Sequence, residues 1–220
     1  MLLLDAGTGL RRLVGEPELL DGVERIDVCL SHFHLDHVVG LSYLPAVPPH
    51  IERFIWGPGA ALYEASTATI LEHLIGPPMF GLTLDRVASR TSDLPLGESE
   101  IGPFTVITRD QQMHPQPSVA LRVGDELTYC TDTGYDPNNA RFAAECRHLL
   151  HEAFWPEHPV DNWHSTAAQA ARIAEGAAVV RLTLVHINPL SDSATDRLLH
   201  DQSSQIFTRS HVGTDLAVLE

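Results

Sequence analysis

The chain has 220 residues, of which 44% are hydrophobic, enough for a single domain spanning 1–220 with a substantial core. Fourteen Lys and Arg face 29 Asp and Glu, a formal net charge of −15, whereas a protein that grips a long nucleic acid needs a positive surface. Beyond the pair Arg11-Arg12 there is no basic cluster, so a small-molecule substrate is expected and a long nucleic acid is not. No run approaches the roughly 18 apolar residues of a membrane span. Met1-Leu2-Leu3-Leu4 meets Asp5 at once, without a basic region or a long apolar one, so a cytoplasmic location and no membrane partner are expected. The three cysteines, Cys29, Cys130 and Cys146, are odd in number and far apart, neither a disulfide framework nor a zinc knuckle. Cys29 and Cys130 sit in apolar runs and read as core.

In chain order, Leu2 to Leu4 predicts a strand ending at Asp5-Ala6-Gly7. A second strand, Ile26 to Leu30, runs into Ser31-His32-Phe33-His34-Leu35-Asp36-His37, and Val38 to Leu41 reads as the start of a helix. Ile51 to Trp56 predicts a strand. Ala60 to Ile75 has helical spacing and stops at Gly76-Pro77-Pro78. Arg86 to Ser89 and Phe104 to Thr108 are strand candidates. Ser118 to Val123 and Leu127 to Thr131 form a predicted hairpin across Gly124-Asp125. Pro137 to His148 predicts a helix capped by Asp136. Then come a strand, Leu149 to Phe154, an Ala-rich helix, Ser165 to Glu175, and a buried strand, Val179 to His186. A helix from Ala194 to Ile206 and a last strand, Leu216 to Leu219, complete the chain. The mixture predicts sheets with helices on their outer faces.

His32, His34, Asp36 and His37 lie within six positions on a strand-to-helix turn, where side chains converge. Imidazole suits zinc, and a carboxylate adds a hard ligand. Further candidates stand where other strands end: His114 before Pro115, Asp132 in Thr131-Asp132-Thr133-Gly134, and His186 in Val185-His186-Ile187. Singly each is weak evidence, but seven donors suit two metal ions with one ligand shared.

With these residues in view, the chain resembles the metallo-β-lactamase superfamily, through the Asp5-Ala6-Gly7 turn, His32 to His37, His114, Asp132 and His186. The resemblance implies an α/β fold, a four-layer αββα sandwich. It implies two divalent metal ions, zinc first, with manganese or iron as alternatives. His32, His34 and His114 would hold one ion, Asp36, His37 and His186 the other, and Asp132 would bridge them. Asp5 would steady the ligand loops. Leu150-His151-Glu152-Ala153-Phe154 and His164-Ser165-Thr166 resemble the HEAT and HST motifs of the ribonuclease Z and phosphodiesterase branch, with Phe154 departing from the pattern. Members of that family usually begin with a β-hairpin, whereas this sequence starts directly in the Leu2 to Asp5 strand; either the recorded start is late or the first sheet is short by its edge, and in the second case pairing of that edge in a homodimer is one expectation. Ribonuclease Z carries a basic arm between the residues matching His114 and Asp132. Only Pro115 to Thr131 lies there in this chain, which disfavours tRNA processing.

The expected activity is therefore phosphodiester hydrolysis of a small substrate, a cyclic nucleotide or cyclic phosphate. A metal-held hydroxide would attack, Asp36 would aim it, and His164, paired with Glu152, would protonate the leaving oxygen. Phe80, Tyr135, Trp155 and Trp163, with Met79, are candidates for a pocket wall. The alternative keeps the metals and changes the bond, to that of a lactone, thioester, β-lactam or sulfate ester.

Overall fold

The computed structural model describes residues 1–218, and the chain divides into two compact units, Met1–Phe104 and Thr105–Glu220. The first unit contains β1 (Leu2–Leu4), α1 (Leu10–Gly15), β2 (Arg25–Cys29), α2 (Leu35–Val38), β3 (Glu52–Gly57), α3 (Gly59–Leu62), α4 (Thr67–Glu72), α5 (Leu84–Val87), β4 (Arg90–Asp93) and β5 (Gly97–Ile101). Strands β1-β2-β3-β4 form a parallel sheet in that order. Parallel sheets covered on both faces read as continuous apolar runs, which is why β2 announces itself as Ile26-Asp27-Val28-Cys29. The one carboxylate in that run, Asp27, is buried but satisfied. Arg25 donates to it twice, at 2.8 and 2.7 Å, and Trp56 Nε1 donates at 2.9 Å. Ile26, Val28, Leu30, Leu41 and Ile55 form the core of this unit.

The second unit holds β6 (Phe104–Gln111), β7 (Ser118–Val123), β8 (Leu127–Cys130), α6 (Asn138–Phe142), β9 (His148–Glu152), α7 (Ala167–Ala177), β10 (Arg181–Val185), α8 (Ser193–Ser204) and β11 (Ser210–Val212). These strands lie in one sheet in the order β11-β10-β9-β8-β7-β6. β6, β7 and β8 are antiparallel neighbours, and β8 to β11 run parallel. Helix α7 starts in a capping box between Thr166 and Gln169 and buries its alanine face against Leu149, Leu182 and Leu184. Cys29, Cys130 and Cys146 are buried free thiols, the first two core residues as expected. Burial pushes all three thiol pKa values up, so none is a reactive thiolate.

Several elements differ from their sequence patterns. The segment 60–75 is two short helices, because Glu64 takes a left-handed φ of 54° and Ser66 caps a new helix by accepting from Thr69 N. Arg86 to Ser89 is the end of α5 and a connection, and the strand follows at Arg90–Asp93. The helix predicted over 137–148 stops at Phe142, since Glu145 turns left-handed at φ 59° and His148 already belongs to β9. The predicted strand Leu216 to Leu219 is a turn at Leu216 followed by irregular chain over its described part, with Leu219 outside the described residues, and the last strand among the described residues is β11 instead. β5 has no apolar alternation and went unread.

The N-cap of α6 is Pro137 and not the expected Asp136, which sits one residue earlier and bonds into the first turn. Asp136 Oδ1 accepts from Asn138 N at 2.9 Å, and its Oδ2 accepts from Arg109 at 2.8 Å. Burial alone would raise the Asp136 pKa, but the Asn138 and Arg109 bonds hold it below the usual carboxylate range. A depressed folded-state pKa means the stabilisation is complete above the unfolded value, about 3.9, and disappears as pH falls through the folded one. Asp136→Ala is expected to cost about 2 kcal/mol at pH 7. The gap to wild type should shrink below about pH 4 in urea titrations, and a gap that does not change with pH would contradict this.

Candidate metal centre and acid–base pair

In the first unit the parallel register brings the donors to one sheet edge. Leu4 pairs with Cys29, so Asp5 and the Ser31-His32 turn leave the sheet side by side. Asp5 adopts φ 60°, a strained conformation for a residue with a side chain. Its carboxylate accepts from Ser31 N at 2.6 Å and Ser31 Oγ at 2.8 Å, and lies 2.8 Å from His37 Nδ1. Burial would raise the Asp5 pKa, yet its hydrogen bond and ion pairing with His37, joined by Ser31, bring it down. The charged carboxylate thus keeps the His37 proton on Nδ1 and leaves Nε2 with the lone pair. The imidazoles cluster: His32 lies 4.5 Å from His34 and 4.3 Å from His37 between ring centroids. His32 and His37 are buried, His34 is half-buried and Asp36 is exposed, with its Oδ2 3.4 Å from His37 Nε2.

A close backbone contact holds this turn in place. Ala6 N donates to His37 O at 2.8 Å, and Gly40 N donates to Ala6 O at 2.7 Å. A Cβ on Gly40 would stand 2.1 Å from Gly7 O, so only glycine permits the approach. Asp5→Ala should cut affinity for a divalent cation about 10- to 100-fold, the usual effect of losing the partner that orients a metal-binding histidine. Competition with a chromogenic zinc chelator would measure it, and unchanged affinity would remove this role from Asp5.

The second unit repeats the logic. Cys130 pairs with His151, and Val185 pairs with Glu152, so Asp132, Glu152 and His186 emerge at the same edge. Asp132 and His186 are both left-handed, at φ 48°. Asp132 turns Oδ1 to His114 Nε2 and Oδ2 to His186 Nε2, each at 3.5 Å, so its two oxygens serve different imidazoles. Thr131 Oγ1 donates to Oδ2 at 2.8 Å. His114 Nδ1 is 2.8 Å from the Gln116 carbonyl, which leaves Nε2 as its donor atom. Donor atoms of Asp132, His164 and His186 lie within 4.8 Å of one another. Imidazole nitrogens and carboxylate oxygens, with His37 and His114 each tied through Nδ1, fit divalent cations such as zinc.

Glu152 is fully buried at the centre of this edge. Its Oε1 accepts from Thr133 N and Ser165 N, both at 2.9 Å. Its Oε2 meets His164 Nδ1 at 2.9 Å and lies 3.3 Å from His186 Nδ1. Burial would lower the His164 pKa, but the hydrogen bond and charge of Glu152, with Asp132, outweigh it and raise the net value. The loop carrying His164 is pinned where Gly134 meets Asn162, whose carbonyl would be 1.9 Å from a Cβ there. Of the predicted wall residues, Trp155 is half-buried and edge-on to Phe154. Tyr135, Trp163 and Met79 are exposed, and Phe80 packs on the first unit's core. The amides of Thr133 and Ser165 that hold Glu152 escaped the sequence reading, because backbone donors leave no trace in side-chain chemistry.

The β-lactamase superfamily domain matches residues 1–187, most of the chain and both edges just described. The chain belongs to the β-lactamase superfamily. With it, the chain takes its place among the metal-dependent hydrolases of that superfamily. Ribonuclease Z of Clostridium acetobutylicum is 24% identical, over 97% of this chain and 86% of its own length. That alignment runs to 272 positions against a chain of 220, so the relative carries segments with no counterpart here. Among solved structures, the metallo-β-lactamase fold protein YhfI of Bacillus subtilis superposes with a TM-score of 0.73 at 21% identity, over 100% of this chain and 87% of that one. A diphosphatase of the PhnP family follows at 0.72 and 20%, over 100% and 79%. The two-sheet α/β fold is therefore that of the metallo-β-lactamases, as the sequence led us to expect. Among the described residues no helix is long and apolar enough to cross a membrane.

Proposed function

We propose that residues 1–220 act as a single hydrolase domain, a dinuclear, zinc-dependent phosphodiesterase for a small substrate such as a cyclic nucleotide or cyclic phosphate. The observation that carries this reading is the His164–Glu152 pair, 2.9 Å long, beside the Asp132 and His186 donors. In the proposal His32, His34 and His114 hold one cation, Asp36, His37 and His186 hold the other, and Asp132 serves both. When bound, such ions acidify a water molecule and neutralise phosphoryl oxygen charge.

The chain's own residues do the rest. Asp5 orients His37 through Nδ1. Exposed Asp36 accepts a hydrogen bond from the attacking water and aims it. Glu152 keeps His164 cationic, and His164 Nε2 delivers a proton to the departing oxygen, which an alkoxide leaving group requires. The formal charge of −15 supports a small substrate over a long polyanion. The short connection from His114 to Asp132 supports the same choice, and a tRNA precursor is not expected to be cut.

Hydrolysis of bis(p-nitrophenyl) phosphate and of cyclic nucleotides, set against lactones, thioesters, nitrocefin and aryl sulfates, tests the bond. Phosphodiester turnover at least about 100-fold above the others is expected, a difference of some 2.7 kcal/mol in transition-state binding. Turnover confined to lactones, lactams or sulfates would sink the phosphodiesterase reading.

A further inference from the structure

We propose that Phe154 is a positioning residue that fixes the plane of the His164 imidazole and so the direction in which its proton is delivered. The inference deepens the general-acid role of His164 and rests on it.

A hydrogen bond at Nδ1 fixes one point of an imidazole. Glu152 Oε2 supplies that point for His164 at 2.9 Å. The ring can still tilt about this contact, and the tilt swings Nε2 through an arc. Phe154 removes that freedom. Its ring lies 4.5 Å from the His164 ring, centroid to centroid, at 22° between planes. His186 also lies near, 5.5 Å from His164 at 26°. Phe154 and His186 are themselves 5.7 Å apart at 32°, so the three rings form one near-parallel group. His114 meets His164 edge-on, at 5.5 Å and 62°.

The stacking ring is itself held. Trp155 stands against it at 5.0 Å and 83°. On either side of Phe154 the backbone is bonded: Ala153 N donates to Val185 O at 3.0 Å and Trp155 N to Ser165 O at 3.2 Å. Ser165 N also donates to Glu152 Oε1. The segment bearing Phe154 and the segment bearing His164 are thus tied into one rigid piece. This is the position where the sequence departs from the HEAT pattern. A threonine has no flat face to set an imidazole plane, whereas a phenyl ring favours offset stacking.

Proton transfer depends on alignment, and a displacement of about 1 Å at a reacting group can cost up to about 100-fold in rate. The consequence should fall on kcat for substrates whose leaving group needs a proton. It should spare KM, because Phe154 acts through His164 and not on the substrate.

The test compares the zinc-loaded, full-length protein with F154T, F154L, F154Y and H164A. The probes are a 2′,3′-cyclic nucleotide, with an alkoxide leaving group, and bis(p-nitrophenyl) phosphate, whose p-nitrophenolate departs unaided. F154T should lower kcat on the cyclic nucleotide about 10-fold or more, with KM and p-nitrophenolate release changed less than about 3-fold. F154Y keeps the flat ring and should restore kcat. In the imidazole carbon-proton NMR spectrum, the upfield ring-current shift of the His164 protons should shrink in F154T and persist in F154Y. F154L, near in volume but not planar, should behave as F154T, and it stands in if F154T does not fold. Equal losses on both probes, a tyrosine variant as impaired as threonine, or an unaltered ring-current shift would overturn the inference. If H164A shows the leaving-group split and F154T does not, only the role of Phe154 fails. If H164A shows no split, the general-acid reading fails and takes this inference with it.

Discussion

H164A should lower turnover of a cyclic nucleotide by about 10²- to 10⁴-fold, the range that a positioned general acid contributes. The same variant should lose far less on p-nitrophenyl substrates, because p-nitrophenolate is a stable anion at neutral pH. The geometry behind the expectation is specific. Nδ1 of His164 is engaged by a fully buried carboxylate at 2.9 Å, so the remaining nitrogen is the one that can meet a substrate. That carboxylate, held by two backbone amides, cannot turn away to solvent. The sign of the pH effect follows. His164 has a raised pKa because its bond to Glu152 outweighs burial, so it is charged, and able to donate, further up the pH scale than an ordinary histidine. Glu152→Gln removes the raising charge, and the alkaline limb of the kcat profile should move to lower pH. An unmoved limb, or a uniform loss across leaving groups, would contradict the assignment.

The second large effect is expected at Asp132. Its two oxygens face two different imidazoles, His114 and His186, each at 3.5 Å. In the proposed function this residue serves both cations, so it should be the hardest ligand to replace. Asp132→Ala should reduce bound zinc from about two equivalents to one or fewer, and turnover about 10³-fold, at the upper end for one preorganised electrostatic contact. Elemental analysis of the purified protein, with thermal melting at rising zinc concentration, reads this directly. Wild type should gain stability as zinc rises, because a ligand that binds only the folded state stabilises it by mass action. A variant that keeps both metals and melts like wild type would refute the shared-ligand role.

Much of the fold was legible because its strands are buried on both faces. Ile26 to Leu30, Val179 to His186 and Leu149 to Phe154 are dense apolar runs, and each places its strand to within a residue or two. The hairpin across Gly124-Asp125 was legible because turn chemistry is local. The short helices were not. The segment 60–75 has a helical pattern throughout, but the left-handed turn at Glu64 and the cap at Ser66 break it. β5 lacked the signal altogether, since Gly97-Glu98-Ser99-Glu100-Ile101 alternates too weakly to mark a strand.

The sequence by itself determined the inventory of chemistry: which donors exist, that they sit at strand ends, and that a Glu and a His of one motif pair accompany them. It also determined the charge that argues against a polyanionic substrate. Only the tertiary structure decided how those donors are aimed. Parallel pairing sets Asp132, Glu152 and His186 at one edge although they are separated by tens of residues. Backbone amides and glycine contacts then fix each side chain's direction. Those contacts come from groups that every residue shares, so their presence is a property of the folded chain and not of residue type. The stack of Phe154 on His164 shows the same division: a phenylalanine in an odd place is visible in the sequence, and its use depends on a ring 4.5 Å away.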